Sequence, residues 1–355
     1  MRIALVSDAW RPQVNGVVRT LAAVTDIARR RGHSVGMITP DRFRSVAMPN
    51  YPEIRLALAS PRAVGAMIDE IAPDAIHIAT EGPLGWAARH WCLSHQLDFT
   101  TSFHTRFPDY IAARTGLPPA LLWRPLRRFH RPARHILVAT PRLAAELAGN
   151  GLPQTLPWTR GVDMALFRPD RMPHSAFADL PRPIAVAVGR VAVEKNLETF
   201  LAADWPGTKV VVGDGPALAA LRSRFPDAIF TGGLHGKALA AAYAGADISV
   251  FASRTDTFGL VIIESLASGT PVAGFPVPGP LDILGVDGRG DNGAVFGAAV
   301  IGGVDDDLAA AMRTALTAQR SDCAAYGGGF SWDRSCDQFL AGLAPITASG
   351  RAEAA

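Results

Sequence analysis

The chain has 355 residues, 48% of them hydrophobic, so it is long enough for two domains with their own cores. Its three cysteines, Cys92, Cys323 and Cys336, are far apart and lack metal-ligand spacing, which favours a reducing compartment over a disulfide framework. The net charge of +3 is small, and no uncharged apolar run approaches the roughly 20 residues of a membrane span.

The first half alternates short β-branched runs with helical stretches rich in alanine and leucine. Its predicted strands are RIALVSD, HSVGMIT, DAIHIAT, DFTTSFH and HILVAT. This alternation of strands and helices predicts a parallel sheet with helices on both faces.

Because the chain starts directly on MRIALVSDA, without a basic segment followed by a long apolar stretch, we expect a cytoplasmic protein.

A loop with one glycine, Gly16, links the first strand to a helix in SDAWRPQVNGVVRTL. Amides at the start of that helix could hold a phosphate, although any turn can need a glycine. The pattern is not G-x-G-x-x-G, which disfavours a nicotinamide or flavin dehydrogenase. Farther along, His104 follows the strand DFTTSF and is expected to project into a ligand cleft. An equally good interpretation is that His104 is a core residue whose ring nitrogens form hydrogen bonds within the domain.

Arginine is concentrated between residues 101 and 150, where Trp123 is interleaved with Arg124, Arg127 and Arg128 in LLWRPLRRFHRPARH. No nucleic-acid-binding motif accompanies these charges, so we expect no nucleic-acid partner. An anionic membrane surface suits them better, because an aromatic ring can enter the headgroup layer while arginine pairs with phosphates. A solvated arginine-rich face is an equally weighted alternative.

The second half repeats the alternation in PIAVAVGR, KVVVGD, DAIFTGG, DISVFAS and TPVAGFP, which predicts a second sheet and therefore a second domain. Proline is dense and helical periodicity lapses between residues 160 and 183. We expect a first domain over 1–170, a second over 171–330, a helix over 331–345 that crosses back to the first domain, and a disordered tail over 346–355.

Two cations, Arg190 and Lys195, follow the strand PIAVAVG in a chain that has only three lysines. We expect them to neutralise a diphosphate, because cations at a helix start oppose the helix dipole unless an anion is present. The acidic triplet 305–307 precedes a helical stretch, so N-capping is a better interpretation of it than metal binding.

Two carboxylates stand eight positions apart in TDTFGLVIIESLASGTPV, Asp256 ahead of a glycine and Glu264 inside an apolar run. The stretch predicts a loop, then a helix buried on most sides that ends before Gly269. Glu264 is therefore expected in or beside the interior, where a carboxylate must be paired or must face a ligand. The alternatives are that Glu264 escapes to solvent or meets an internal arginine.

Taken together, these segments resemble the retaining glycosyltransferases of family 4. The resemblance covers most of the chain through PQVNGVVRT, FHTRFPDY, RGVDMALFRPD, VGRVAVEKN, VVGDGP, the 255–272 stretch and FSWDRSCDQFL. The 255–272 stretch is similar to the family's E-x7-E signature, with Asp256 in place of the first glutamate. The resemblance implies the GT-B fold, an α/β architecture of two Rossmann-like doubly wound domains that face each other across a cleft.

The resemblance also implies how a nucleotide sugar binds to the second domain. Glu264 accepts hydrogen bonds from the ribose hydroxyls, and Asp256 holds the donor sugar. A helix rises about 6 Å from Leu260 to Glu264, which lets the pair bracket a diphosphate lying across the helix start. The amides expected at the donor sugar are those of Phe258, Gly259 and Leu260.

In the same family scheme, Arg190, Lys195 and Gly16 offset the charge that builds on the departing nucleoside diphosphate. No metal ion or other cofactor is therefore expected. His104 is similar in position to the family's histidine that contacts the sugar. The donor is a UDP- or GDP-sugar, and the reaction retains the anomeric configuration.

The segments FHTRFPDY and LLWRPLRRFHRPARH most resemble the branch that glycosylates lipids by mannosyl, glucosyl or sulfoquinovosyl transfer to diacylglycerol or phosphatidylinositol. We therefore expect a hexosyltransferase that is peripheral on the inner face of the cytoplasmic membrane, with a lipid acceptor. Two alternatives stay open at this point. One is a nucleotide-sugar 2-epimerase with the same fold, and the other is a sugar-nucleotide-binding protein without catalysis.

Overall fold

The computed structural model describes residues 1–13, 15–48, 51–104, 118–255, 258–290 and 299–346. The chain divides into two units, one made of Met1–Arg160 with Trp332–Ala355 and the other of Gly161–Ser331.

The boundary between the units follows Arg160, whereas the sequence analysis placed it after residue 170. The residues just after the boundary belong to the second unit because Val162 forms an isolated bridge with Ser331 and Phe167 is only 2% exposed. The proline-dense stretch is therefore partly packed rather than a free linker.

Over its described residues, the first unit contains eight strands. They are β1 (Arg2–Val6), β2 (Ser34–Ile38), β3 (Ser45–Met48), β4 (Tyr51–Ala57), β5 (Ala75–Ile78), β6 (Thr100–Phe103), β7 (Ile136–Val138) and β8 (Thr155–Pro157). Six of them form a parallel sheet in the order β2-β1-β5-β6-β7-β8, and β3 pairs with β4 in an antiparallel ribbon. The register places Ile3 between Val35 on one side and Ala75 on the other.

Helices of the first unit lie between these strands. In the described part they are α1 (Gly16–Arg30), α2 (Pro61–Ile71), α3 (Pro83–Ser94), α4 (Pro119–His130) and α5 (Pro141–Gly149), with a 3₁₀ turn at Pro40–Arg42. Four of these helices carry proline at their first or second position. Proline is favoured there because its fixed φ suits the helix and its missing N–H has no partner to lose.

The second unit has a parallel sheet in the order β11-β10-β9-β12-β13-β14. Its strands are β9 (Ala185–Val188), β10 (Lys209–Val212), β11 (Ile229–Gly232), β12 (Ile248–Phe251), β13 (Val272–Gly274) and β14 (Gly302–Val304). Its described helices are α6 (Leu197–Ala202), α7 (Leu218–Arg224), α8 (Gly236–Gly245), α9 (Leu260–Ala267), α10 (Pro278–Leu284), α11 (Leu308–Ala315) and α12 (Arg320–Gly327), with 3₁₀ turns at Ser175–Phe177 and Val193–Lys195.

The last helix, α13 (Trp332–Gly342), belongs to the first unit. It packs along α1, where Arg31 pairs with Asp333 at 2.8 Å and with Asp337 at 2.5 Å. Its buried Phe339 ring lies 5.2 Å from the ring of Trp158. The C-terminal helix thus completes the core of the unit in which the chain begins.

Strand β1 shows why this architecture is doubly wound. Ala4 and Val6 belong to one buried cluster, which includes side chains of α2 and α3, and Ile3 and Leu5 belong to another, which includes side chains of α1 and α13. All four are 0% exposed, as expected for a central parallel strand with helices on both faces. Full burial of each of the three larger side chains, Ile3, Leu5 and Val6, contributes about 1.5–3 kcal/mol of transfer free energy.

Candidate functional site

The loop after β9 carries the first predicted cation. Arg190 forms an ion pair with Glu194, one helical turn later, whose side chain is 10% exposed. The 3₁₀ turn Val193–Lys195 then ends at Asn196, which adopts a left-handed φ of 51°. Asn196 Nδ2 donates to the carbonyl of Ala252 at 3.2 Å, so the turn is anchored to the loop that follows β12. Asparagine tolerates this left-handed geometry better than most residues.

Lys195 occupies the last position of the same 3₁₀ turn and is half-buried. A second bond joins the two loops, since Ser253 Oγ donates to the carbonyl of Glu194 at 3.3 Å. The structure therefore brings the segment with Arg190 and Lys195 against the chain that leads into α9. The sequence analysis missed Glu194 and Ser253. The spacing of four residues between Arg190 and Glu194 was the signal for their ion pair.

Two glycines of the loop after β10 hold the Arg190 loop in place. A Cβ on Gly213 would lie 1.8 Å from the carbonyl oxygen of Gly189, and one on Gly215 would lie 2.3 Å from that of Val191. Val191 N also donates to the carbonyl of Asp214 at 2.8 Å. These glycines permit a close approach of two backbones, which positions Arg190.

Helix α9 begins at Leu260, and Gly259 occupies its N-cap position with φ 85° and ψ 78°. Only glycine adopts this conformation without strain, and a Cβ there would lie 2.8 Å from the Phe251 ring. The preceding Phe258 is 6% exposed, and its ring lies 6.2 Å from that of Phe330. The predicted sugar contact Asp256 lies outside the described residues.

Glu264 points into the second unit and is 2% exposed. Tyr243 Oη, on α8, donates to Glu264 Oε2 at 3.5 Å. The prediction that Glu264 lies in the interior is confirmed, and the alternative that it escapes to solvent is wrong. Tyr243 was missed by the sequence analysis because nothing in the pattern of α8 distinguishes it from a core residue.

The C-terminal end of α9 is held by a half-buried arginine. Arg320 donates to the carbonyls of Ala246 at 2.8 Å, Ala244 at 3.0 Å and Ser268 at 3.3 Å, and to Thr270 Oγ1 at 3.2 Å. Burial lowers the pKa of this guanidinium. Cations can donate hydrogen bonds to the last carbonyls of helices. Arg320 therefore links the C-terminal ends of α8 and α9 and stabilises the helix that carries Glu264.

A groove of about 790 Å³ runs between α6, α7 and the start of α11. Val193 and Asn196 line it, but Arg190, Lys195 and Glu264 do not. It is therefore distinct from the candidate site. The acidic triplet at its edge caps α11 as predicted, since Asp307 Oδ1 accepts from Ala309 N at 3.0 Å.

In the first unit, Gly16 is the first residue of α1, and the Asn15 side chain before it caps Val18 N at 3.0 Å. The loop that leads to Gly16 starts at Asp8, which accepts from Leu84 N at 2.8 Å and from Gly85 N at 3.2 Å. Burial raises the pKa of Asp8, while these amides at the start of α3 act in the opposite direction. Asp8 thus fixes the loop after β1 to a neighbouring helix, a role that the sequence analysis did not identify.

His104 follows β6, and its ring is buried in the first unit with 9% exposure. Nε2 lies 2.9 Å from Ser102 Oγ, and Nδ1 lies 3.1 Å from Arg160 Nη2. Burial, then the charges of Arg160, His77 and His130, hold the pKa of His104 well below its usual range. The rest of FHTRFPDY lies outside the described residues.

The predicted membrane segment forms α4, which continues through Pro125. Trp123 is only 7% exposed, and its ring stacks on that of Phe103 at a centroid distance of 5.9 Å. The expectation that Trp123 enters a headgroup layer is therefore wrong. The helical period places Trp123 and Phe129 on the face that packs against the sheet, whereas Arg124 and Arg128 lie on the exposed face and Arg127 is half-buried.

A groove of about 330 Å³ lies beside the C-terminal end of α4. Its lining residues come from α2, α3, α4 and the loop before α2: Ala59, Pro61, Pro83, Trp86, Ala87, Arg89, His90 and Arg128. Arg89 closes α4 by donating to the carbonyls of Phe129 at 3.0 Å and Arg128 at 2.6 Å. Burial, and then the charge of Arg128, lower the pKa of Arg89. The groove thus concentrates positive charge.

None of the helices in the described part of the chain is both long enough and apolar enough to cross a membrane. In the same residues, no group of three or more His, Cys, Asp or Glu side chains is placed to hold a metal ion.

Comparisons with known proteins match both units. A family model described as Glycosyltransferase Family 4 matches residues 14–166, and one described as Glycosyl transferases group 1 matches residues 182–318. The chain is 31% identical to a GDP-mannose-dependent alpha-mannosyltransferase of Mycolicibacterium smegmatis, over 96% of each chain. It is also 31% identical to the sulfoquinovosyl transferase SQD2 of Arabidopsis thaliana, over 77% of this chain and 56% of the relative.

Solved structures agree on the fold. The sucrose-phosphate synthase of Thermosynechococcus elongatus superposes with a TM-score of 0.73 at 20% identity, covering 96% of this chain and 97% of that one. The Anabaena protein HepE, in complex with UDP, superposes with a TM-score of 0.68 at 13% identity, covering 96% of this chain and 99% of that one.

Proposed function

The chain belongs to glycosyltransferase family 4 and has the GT-B fold, and from this premise we propose that it moves a hexose from a nucleoside-diphosphate sugar to a membrane lipid with retention of configuration. The observation that carries the proposal is the buried carboxylate of Glu264 on α9, in the same unit as a loop after β9 that contains Arg190 and Lys195 and bonds to the residues after β12. A buried carboxylate and two cations in one unit suit a ligand with both hydroxyls and phosphates.

In this proposal, the second unit binds the donor. Glu264 accepts from the ribose hydroxyls, and the amides at the start of α9 receive the diphosphate and the sugar. Arg190 and Lys195 offset the negative charge that builds on the leaving group. Asp256 keeps its proposed contact with the donor sugar.

The first unit contributes the acceptor side in the same proposal, with Gly16 near the diphosphate and His104 at the sugar. The acceptor hydroxyl attacks C1 on the face that the leaving group departs from. The new bond joins the acceptor oxygen to C1, the bond from C1 to the phosphate oxygen breaks, and a donor phosphate oxygen takes the hydroxyl proton. Cations, rather than a metal ion, supply the electrostatic stabilisation.

A panel of UDP- and GDP-sugars tests the proposed reaction. GDP-mannose is the first donor to test because three of the relatives are named GDP-mannose-dependent alpha-mannosyltransferases. We expect release of nucleoside diphosphate that requires vesicles containing diacylglycerol or phosphatidylinositol, with the hexose recovered on the lipid. Interconversion of the sugar nucleotide without acceptor would instead identify an epimerase. Binding of a donor without turnover under any condition would favour a non-catalytic protein.

We also propose that the protein works at the inner face of the cytoplasmic membrane, and that the exposed face of α4 contacts anionic lipid. Arg124 and Arg128 are exposed there, and Arg89 and Arg128 line the adjacent groove. A relative named for a lipid product supports a lipid acceptor: the alpha-monoglucosyldiacylglycerol synthase of Streptococcus pneumoniae, to which the chain is 26% identical. Contact is expected through charge, since the tryptophan of α4 is buried.

Flotation on vesicles measures this contact. Replacing Arg124, Arg127 and Arg128 together with alanine should lower the partition coefficient onto phosphatidylglycerol vesicles by about 100-fold, because each arginine near an anionic surface contributes about 1 kcal/mol.

A matched triple variant removes the same charge from the second unit, at the exposed Arg222, Arg224 and Arg313. This control should float like the wild type. Equal flotation of both triple variants and the wild type would refute the membrane surface on α4.

A further inference from the structure

Arg160 is a buried cation with an unusual environment. Its side chain is 5% exposed, and its guanidinium lies 4.8 Å from the centroid of the Trp158 ring. Nη1 donates to the carbonyl of Trp158 at 2.5 Å. Over the described residues, no carboxylate pairs with Arg160, and burial lowers its pKa to about 9. Burying a charge without an opposite charge beside it lowers the stability of the fold. We therefore expect Arg160 to have a role that offsets this loss of stability.

The hydrogen bond from Arg160 to His104 determines which ring nitrogen of His104 carries the proton. A guanidinium can only donate, so Nδ1 of His104, at 3.1 Å, must be the acceptor. The proton of the neutral ring then lies on Nε2, which donates to Ser102 Oγ at 2.9 Å. Ser102 Oγ in turn donates to the carbonyl of Ala79 at 3.1 Å, which leaves its lone pairs for His104 and for His77 Nε2 at 3.2 Å. The bond from Arg160 thus leaves the proton of the neutral His104 ring on Nε2, facing Ser102.

We propose that Arg160 is a positioning residue for His104, which it holds in the neutral tautomer protonated on Nε2 and in one ring orientation. This inference rests on the proposed function, in which His104 lies at the donor sugar. It adds that the imidazole acts as a fixed neutral group and not as a general acid or base. That agrees with a reaction in which the donor phosphate takes the acceptor proton. Arg160 acts through His104 and is not itself a catalytic residue.

The surroundings of His104 favour the neutral ring. His77 on β5 faces it through Ser102, and burial lowers the pKa of His77 to about 3. His130 on α4 is held by Glu81 at 3.1 Å, and its charge, when present, would oppose protonation of His104. Among the described residues, these groups and Arg160 are the charged or titratable neighbours that lower the pKa of His104. Removing Arg160 takes away one cause of the low pKa, while burial, the larger cause, remains.

Nuclear magnetic resonance of the full chain labelled with ¹⁵N-histidine tests the inference directly, because it needs no substrate. The signal of His104, assigned with a His104→Gln variant, should show the Nε2–H tautomer without titration between pH 5 and 8. Arg160→Lys, which keeps a buried donor, should preserve this tautomer. Arg160→Met, which offers no N–H donor to Nδ1, should give a mixture of the two neutral tautomers.

Kinetics supply a second readout. Arg160→Met should lower kcat by about 10- to 100-fold with little change in KM for the donor. Arg160→Lys should recover most of the activity.

An Nδ1–H tautomer in the wild type, or an unchanged His104 signal in folded Arg160→Met, would overturn the inference. If Arg160→Met fails to fold, the same spectra of Arg160→Gln decide. If the wild type turns over no nucleotide sugar, the proposed function fails, and the spectra still decide whether Arg160 sets the state of His104.

Discussion

Replacing Glu264 with glutamine is expected to lower kcat/KM for the nucleotide-sugar donor by about 100-fold while the second unit stays folded. Glutamine has nearly the same shape as glutamate, so the packing of α9 is retained. It loses the charge, and one of its two polar atoms becomes a donor where the proposal places the ribose hydroxyls. A hydrogen bond to a charged group is worth about 1.5–3 kcal/mol, and a buried donor left unpaired adds to the loss.

Release of nucleoside diphosphate, measured with thermal unfolding of the same samples, checks this expectation. Glu198→Gln is the matched control, because it makes the same chemical change at an exposed glutamate that pairs with Arg224 on the surface. It should leave turnover unchanged. Tyr243→Phe removes the hydroxyl that donates to Glu264 at 3.5 Å and should have a small effect. Wild-type turnover in Glu264→Gln would refute the assignment of Glu264 to the donor.

Strands with β-branched runs were predictable from the sequence, and those without such runs were not. Ten predicted runs coincide with strands of the two parallel sheets. The pair β3 and β4 was missed because charged and proline residues interrupt it, as they often do at exposed edges. Strand β8 ends on Pro157, and β14 has the sequence GGV, so neither carries enough strand-forming residues to be recognised.

The burial of Glu264 was predictable because apolar residues surround it on every side of a short helix. The start of that helix was less predictable from the sequence. The sequence analysis did not locate its N-cap position, which Gly259 occupies in a left-handed conformation. The end of the helix was predicted correctly, since Gly269 adopts a φ of 73° just beyond it.

Side-chain placement explains the errors in the first unit. The composition of α4 predicted an aromatic, basic surface, but the helical period places Trp123 in the core and Arg124 in solvent.

The role of Arg160 could not be predicted from the sequence. An arginine beside a glycine in a proline-dense stretch looks exposed, and only the fold brings it to His104, 56 residues away in sequence.

Removing the charge of Lys195 is expected to have the second large effect. Lys195→Met should lower kcat by about 100- to 1,000-fold, because a preorganised cation is worth most where negative charge develops, on the departing diphosphate. KM for the donor should change less, since in the proposed mode of binding Arg190 and the start of α9 also contact the ground-state diphosphate. Single-turnover measurements of nucleoside diphosphate release separate the chemical step from binding.

The small number of lysines gives this test clear controls. Lys237→Met removes the same charge from an exposed position at the start of α8 and should leave kcat unchanged. Lys195→Arg keeps the charge but replaces a compact ammonium group by a planar guanidinium group. This variant should therefore retain part of the activity that Lys195→Met loses. If Lys195→Met retained the wild-type kcat with Lys237→Met equally active, the leaving group would not depend on this cation, and the electrostatic role proposed for the loop after β9 would fail.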